Sequence, residues 1–178
     1  EKLLSLMIDT SGSELHKLII KDIKTGEILD DHLSNLDGSV EWANDNKTLF
    51  YTVLDKAHRS YQLWRHELGN EQSDDVLVFQ EDDDRFSVGL HRTKSGEFLK
   101  MDLESQITTE VYLLDRNDPF GEWQLVQPRE QGVEYYVYHH GNYLYQITNK
   151  DAINFKMIRT TLKGEKEDEI IPNRDKTT

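Results

Sequence analysis

Apolar positions in this chain keep step at a nearly constant interval, and a fixed interval of this kind restricts the fold more than any single motif does. Leu3, Leu49, Phe98 and Leu144 are separated by 46, 49 and 46 residues, and Leu29, Leu77, Leu125 and Ile171 by 48, 48 and 46. Three patterns recur between these anchors in one order. The first is a hairpin signal, two alternating runs around a polar turn: Val40-Glu41-Trp42-Ala43, Asn44 to Lys47, then Thr48 to Val53. It returns at Phe86–Leu90 with Glu97–Met101, and at Val133–Tyr138 with Tyr143–Ile147. The second is a longer run ending in charge: Lys17–Asp22, Tyr61–Leu68, Glu110–Asp115 and Asn154–Arg159. The third is a short apolar run before a loop: Glu27–Leu29, Val76–Phe79, Trp123–Val126 and Glu169–Ile171. The runs are rich in Val, Ile, Tyr, Phe and Trp with period-two alternation, so they are strands. Four strands in each repeat of about 40–50 residues is the pattern of a β-propeller blade.

The expected fold is therefore all-β, a partial β-propeller of about three and three-quarter blades, each of four antiparallel strands. The divisions fall near Gly38/Ser39, Arg85/Phe86 and Gly132/Val133. They give a blade over 1–38 that lacks its innermost strand, and blades over 39–85, 86–132 and 133–178. A propeller hides its strand edges by closing on itself. An open array of this size is expected to be a piece of a longer protein. As a fragment it is expected to self-associate through its open edges, covering faces such as those of Leu3, Leu6, Ile19 and Ile170.

Particular residues carry a resemblance to a known family. The stretch Trp42-Ala43-Asn44-Asp45-Asn46-Lys47-Thr48-Leu49-Phe50-Tyr51 resembles a propeller segment of the prolyl oligopeptidase family of serine peptidases. Asp9 to Glu14 with Lys21-Asp22 and Thr25-Gly26, and Asp82-Asp83-Asp84-Arg85-Phe86, resemble the same branch in order and spacing. The matches span roughly the first half of the chain, and beyond about Glu97 the likeness is one of blade pattern. The resemblance implies a seven-bladed propeller inserted before an α/β-hydrolase domain, covering the catalytic site and admitting only short, flexible peptides. It points to the branch of the family that cleaves after Arg or Lys.

The chemistry of such an enzyme would lie outside these residues. An α/β-hydrolase carries its serine on a Gly-x-Ser-x-Gly elbow, and the residue two places after each of the 10 glycines is never serine. Strand–helix alternation to frame an Asp and a His is absent as well. No catalytic residue, cofactor or metal is assigned. His139 and His140 fall on opposite faces of one strand and cannot share a metal. Asp115 to Pro119 begins like a calcium loop but places Pro119 at a ligand position, and reads as a turn. Glu81-Asp82-Asp83-Asp84 reads as a solvated loop, Asn44 to Lys47 as a hairpin turn, and Tyr135, Tyr136, Tyr138, Tyr143 and Tyr145 as packing between blades.

The 21 basic and 34 acidic residues leave a net charge of −13, which repels nucleic acid and attracts cations. With no run of about 18 apolar residues, no membrane-spanning helix is expected. Among the polar residues on the innermost strands, Glu41, Ser87 and Glu134 are candidates to line the central channel and draw in short basic peptides. The expected role is a non-catalytic, substrate-gating portion of a serine oligopeptidase. Its partners would be the α/β-hydrolase domain and the remaining blades of the same protein. A cytoplasmic place follows from that reading, with a periplasmic one left open. The alternative is a stand-alone propeller or solenoid that serves as a protein-binding scaffold.

Overall fold

The computed structural model describes residues 2–174. Among them are β1 (Leu3–Ile8), β2 (His16–Asp22), β3 (Leu33–Trp42), β4 (Thr48–Leu54), β5 (Ser60–Glu67), β6 (Val76–Gln80) and β7 (Ser87–Arg92). They continue as β8 (Phe98–Glu104), β9 (Thr109–Asp115), β10 (Gln124–Gln127), β11 (Tyr135–His140), β12 (Tyr143–Thr148), β13 (Lys156–Thr161) and β14 (Glu167–Ile171). A 3-10 turn covers Gln72–Asp74. No helix among the described residues is long and apolar enough to cross a membrane.

Each strand pairs antiparallel with its sequence neighbour, in one sheet of six (β1 to β6) and two of four (β7 to β10, β11 to β14). Such meanders are what the three hairpin signals specify. At the β3–β4 turn the Asp45 carboxylate accepts the Lys47 and Thr48 N–H groups, each at 2.9 Å, and the Thr48 hydroxyl at 2.7 Å. At the β11–β12 turn only two residues reverse the chain, and Gly141 supplies the required positive φ of 58°.

The sheet of six contains two successive blades joined through β3. Leu33 and Leu36 pair with Leu18 and His16 of β2, while Val40, Glu41 and Trp42 pair with Tyr51, Phe50 and Leu49 of β4. The strand thus passes through the expected Gly38/Ser39 division without a break. Gly38 permits this at a φ of 112°, and a Cβ there would meet the His16 ring at 3.3 Å. The run expected at Glu27–Leu29 is reduced to one bridge, Lys21 with Ile28. Pairing with β2 resumes at Leu33, after Asp31 has turned inward to bond His66.

Alternation along each strand decides which side chains face the neighbouring blade. In β8, Leu99, Met101 and Leu103 are buried while Lys100 and Glu104 are not, and only Asp102 breaks the rule. Three apolar clusters result. Leu18, Ile20, Leu33, Leu36, Leu49 and Tyr51 hold the first blade to the second. Phe50, Leu63, Phe86, Val88, Leu90 and Leu99 lie between the second and third, with Phe50 meeting the Trp123 ring edge-on at 5.7 Å. Val111, Leu113, Tyr135, Val137 and Leu144 lie between the third and fourth. Each fully buried Leu or Phe contributes roughly 1.5–3 kcal/mol of transfer free energy.

The same alternation corrects one expectation. Leu3 packs inward against the first cluster, whereas Leu4, Leu6 and Ile8 form the exposed row. Leu3 and Leu6 are an odd number of residues apart and cannot share a face.

Polar clips reinforce the seams between blades. Buried His66 lies between two carboxylates, Nδ1 at 2.7 Å from Asp75 and Nε2 at 3.2 Å from Asp31, and the Tyr51 hydroxyl donates to Asp75 at 2.7 Å. Arg59 donates to the carbonyls of Glu81, Asp83 and Phe86. Arg129 reaches the Glu81 carboxylate at 2.6 Å and that of Glu110 at 3.2 Å. The acidic run at 81–84 is therefore not the uniformly solvated loop its composition suggests, because Glu81 is buried and serves as an anchor.

Candidate functional site

In each four-stranded sheet the first strand, β7 or β11, is an edge, and in the six-stranded sheet the C-terminal half of β3 holds the corresponding place. These are the innermost strands on which Glu41, Ser87 and Glu134 were expected to line a channel. The three residues come to lie in two different electrostatic settings.

Glu41, half-buried on β3, borders a cavity of about 440 Å³ with Leu4, Ser5, Trp42, Arg92 and Arg116. Burial pushes its carboxyl above the ordinary glutamate range, while Arg92, Arg116 and His91 pull the other way. Arg92 and His91 come from β7 of the next blade, so this inner surface carries both signs of charge.

Ser87 begins β7, exposed, opposite Glu104 of β8. Glu134 immediately precedes β11, and its N–H donates to Asn149 Oδ1 at 2.8 Å while its carbonyl accepts the Thr148 hydroxyl at 3.0 Å. These bonds tie the entry of β11 to the exit of β12. Glu134 and Glu104 feel each other: burial first, then Asp102, raises the Glu104 carboxyl, and Glu134 adds to the effect.

Asp102 is the residue that sequence reasoning missed. It is 4% exposed, with Oδ1 at 3.0 Å from Lys100 Nζ, while Oδ2 has no hydrogen-bond partner and lies 3.7 Å from His91 Nε2. Lys100, Asp102 and Glu104 alternate on one face of β8 opposite His91, Gly89 and Ser87 of β7. The two-residue spacing of these charges was present in the sequence. Their proximity to Glu134 depends on how the third and fourth blades pack. The cluster can attract and neutralise a cation, and it contains no nucleophile activated by a base.

The other singled-out residues have structural places. His139 is buried, its Nδ1 2.8 Å from Ser95 Oγ and its ring edge-on to Phe98, whereas His140 is exposed on the opposite face of β11. Tyr135 is buried between blades, but Tyr136 and Tyr138 are 40% and 48% exposed on the far face of the fourth blade. Asp115 closes its turn by accepting the Asn117 N–H at 2.8 Å. Among the described residues no group of three or more His, Asp or Glu side chains could hold a metal ion.

Known proteins resemble this chain along its whole length. The family model for the prolyl oligopeptidase N-terminal β-propeller domain matches residues 1–178. Protease 2 of Moraxella lacunata is 36% identical over 89% of the chain, and dipeptidyl aminopeptidase BI of Pseudoxanthomonas mexicana 34% over 88%. Oligopeptidase B from Leishmania major superposes with a TM-score of 0.89 at 29% identity over 97% of the chain, and oligopeptidase B from Trypanosoma brucei with 0.79 at 29% over 99%. The chain spans only 22% to 27% of the length of these four proteins. It belongs to the prolyl oligopeptidase family of serine peptidases, as part of that family's N-terminal β-propeller domain.

Proposed function

We propose that the chain is the non-catalytic, substrate-gating part of a serine oligopeptidase that cleaves short peptides after Arg or Lys. The observation that carries this reading is the set of carboxylates on and beside the inner strands, Glu41 on β3, Asp102 and Glu104 on the adjoining β8 and Glu134 just before β11, within a propeller of this family. A narrow passage lined by such groups raises the local concentration of cationic peptides and favours their entry over that of acidic ones. Serine, aspartate and histidine for hydrolysis would come from an α/β-hydrolase domain of the same protein, and further blades would complete the ring. The same reading places the protein in the cytoplasm.

The test is steady-state kinetics of the full-length protein on short Arg-containing peptides. Glu41→Gln with Glu134→Gln should raise KM several-fold at low salt, leave kcat near its original value and weaken the salt dependence of kcat/KM. Unchanged uptake of the basic peptides in that double variant would remove the gating role of these residues.

A further inference from the structure

A cavity of about 370 Å³ opens beside the starts of the inner strands β7 and β11. Phe86 and Gln131, on the connections that lead into those strands, line it with Arg85 and with Gln106 and Ile107 from the turn between β8 and β9. The same stretches carry two of the carboxylates described above. Glu104 ends β8 directly before Ser105, which also borders the cavity, and Glu134 lies three residues beyond Gln131.

The walls of this cavity are held in place. The Ser105 N–H and hydroxyl both donate to the Thr108 carbonyl, at 2.9 and 3.2 Å, which leaves Gln106 and Ile107 as the tip of the turn. Thr108 Oγ1 accepts the Gly132 N–H at 3.0 Å and so ties that tip to the connection that carries Gln131. The buried Phe86 ring has the Arg129 guanidinium over it at 4.1 Å and that of Arg85 at 6.0 Å. Asp83 offsets the charge of Arg85 by accepting from its Nε at 2.9 Å and its Nη2 at 2.6 Å. Ile107 is the residue that the fold leaves unexplained. It is 50% exposed at a turn position where Asn, Asp, Gly or Ser is the usual choice, and it belongs to none of the three apolar clusters. The side-chain amides of Gln106 and Gln131 are exposed and bond to no described residue.

We propose that this cavity receives a bulky aliphatic side chain adjacent to the Arg or Lys of an entering peptide, so that the chain selects basic–aliphatic peptides over merely basic ones. The inference rests on the gating role proposed for the inner strands. Ile107 and the edge of Phe86 cover the aliphatic group, and the cation lies toward Glu104 and Glu134. Gln106 and Gln131 face the peptide main chain, and each amide offers the donor and the acceptor that a peptide unit needs. The volume falls near the lower end of small-molecule sites, about 300–1,000 Å³, and suits one or two side chains. Burial of the aliphatic group adds an attraction that salt does not screen, unlike the pull of the carboxylates.

The experiment is steady-state kinetics of the full-length protein on the anilides of acetyl-Leu-Arg and acetyl-Ser-Arg, at low and at high salt. KM should be several-fold lower for the Leu peptide, and that ratio should survive at high salt, where the attraction of the carboxylates is screened. Ile107→Ser should raise KM for the Leu peptide several-fold and leave kcat and the KM of the Ser peptide unchanged, and Ile107→Leu should restore the preference. Gln131→Trp, which fills the cavity from its other wall, should reproduce the loss with Ile107 intact. An equal change in KM for both peptides in Ile107→Ser, or an unchanged Leu preference in both Ile107→Ser and Gln131→Trp, would overturn the proposal. If Glu41→Gln with Glu134→Gln raises KM for both peptides while the cavity variants keep the Leu preference, the cavity fails and the gating role stands. If that double variant changes nothing, the gating reading fails and this inference with it.

Discussion

Arg116 Nε donates to the main-chain carbonyl of Trp42 at 2.9 Å, across the seam between the second and third blades. The same guanidinium holds the Gly96 carbonyl at 2.7 Å through Nη1, and the Arg116 carbonyl accepts the Asn44 N–H at 2.8 Å. One side chain thus satisfies the turn of each blade while its own backbone closes the contact. Arg116→Ala leaves both carbonyls short of a donor in a site only 8% exposed. The expected loss is about 2–4 kcal/mol in urea denaturation of the full-length protein, and Arg116→Lys should recover only part of it, because an ammonium cannot reproduce the planar fork.

At the next seam Tyr135 has the corresponding place. Its hydroxyl accepts the Val111 N–H at 2.8 Å and donates to the Gln127 carbonyl at 2.5 Å, and its own N–H donates to Thr109 Oγ1 at 2.7 Å. Tyr135→Phe keeps the ring and removes both hydroxyl bonds. It should cost about 1–3 kcal/mol. Hydrogen exchange at the Val111 amide should accelerate more than exchange at Val88, which faces the other seam.

Glu41 gives the sign of one pH effect. Burial holds its carboxyl above the ordinary glutamate value of 4.5, so the folded protein binds this proton more tightly than the unfolded chain does. The resulting stability is fully present below that ordinary value and is lost as pH rises through the raised one. Glu41→Gln should therefore be more stable than the parent at neutral pH, with the advantage shrinking below the ordinary glutamate range. Denaturation midpoints measured across that range check the crossover.

Much of this architecture was legible because strand alternation needs only local sequence. Leu99, Met101 and Leu103 against Lys100 and Glu104 announce β8 and its two faces, and the recurrence of such runs announces the blades. Legibility ended where a contact depends on how blades meet. Nothing near Arg116 marks it as a clip to Trp42, and Glu81 looks like any member of an acidic run until Arg129 arrives from a neighbouring loop. The site divides in the same way. Repetition in the sequence puts Glu41 on β3, Ser87 on β7 and Glu134 just before β11, while Asp102 comes near them because β7 pairs Gly89 opposite it on β8. The continuous path of β3 escaped the repeat pattern because it runs through positive φ at Asn35 and Gly38, a backbone property that hydrophobic periodicity does not record.

The exposed row of Leu4, Leu6 and Ile8 on the edge strand β1 bears on the isolated chain. An unpaired strand edge with an apolar face is a template for pairing with another chain. In sedimentation velocity the isolated chain should shift to dimers or larger species as concentration rises, and Leu4→Lys with Leu6→Lys should suppress the shift. Concentration-independent monomers of the parent chain would show that these residues find cover within the chain.

The central claim is that the chain is part of a peptidase without being its catalyst. Its most direct test is release of chromophore from a short peptide anilide ending in Arg, by the full-length protein and by the isolated 178-residue chain at equal molar concentration. The account predicts steady release by the full-length protein, abolished by a serine-directed acylating inhibitor, and none above the uncatalysed background from the isolated chain. Inhibitor-sensitive release by the isolated chain, or no cleavage of Arg and Lys anilides by the full-length protein, would contradict it.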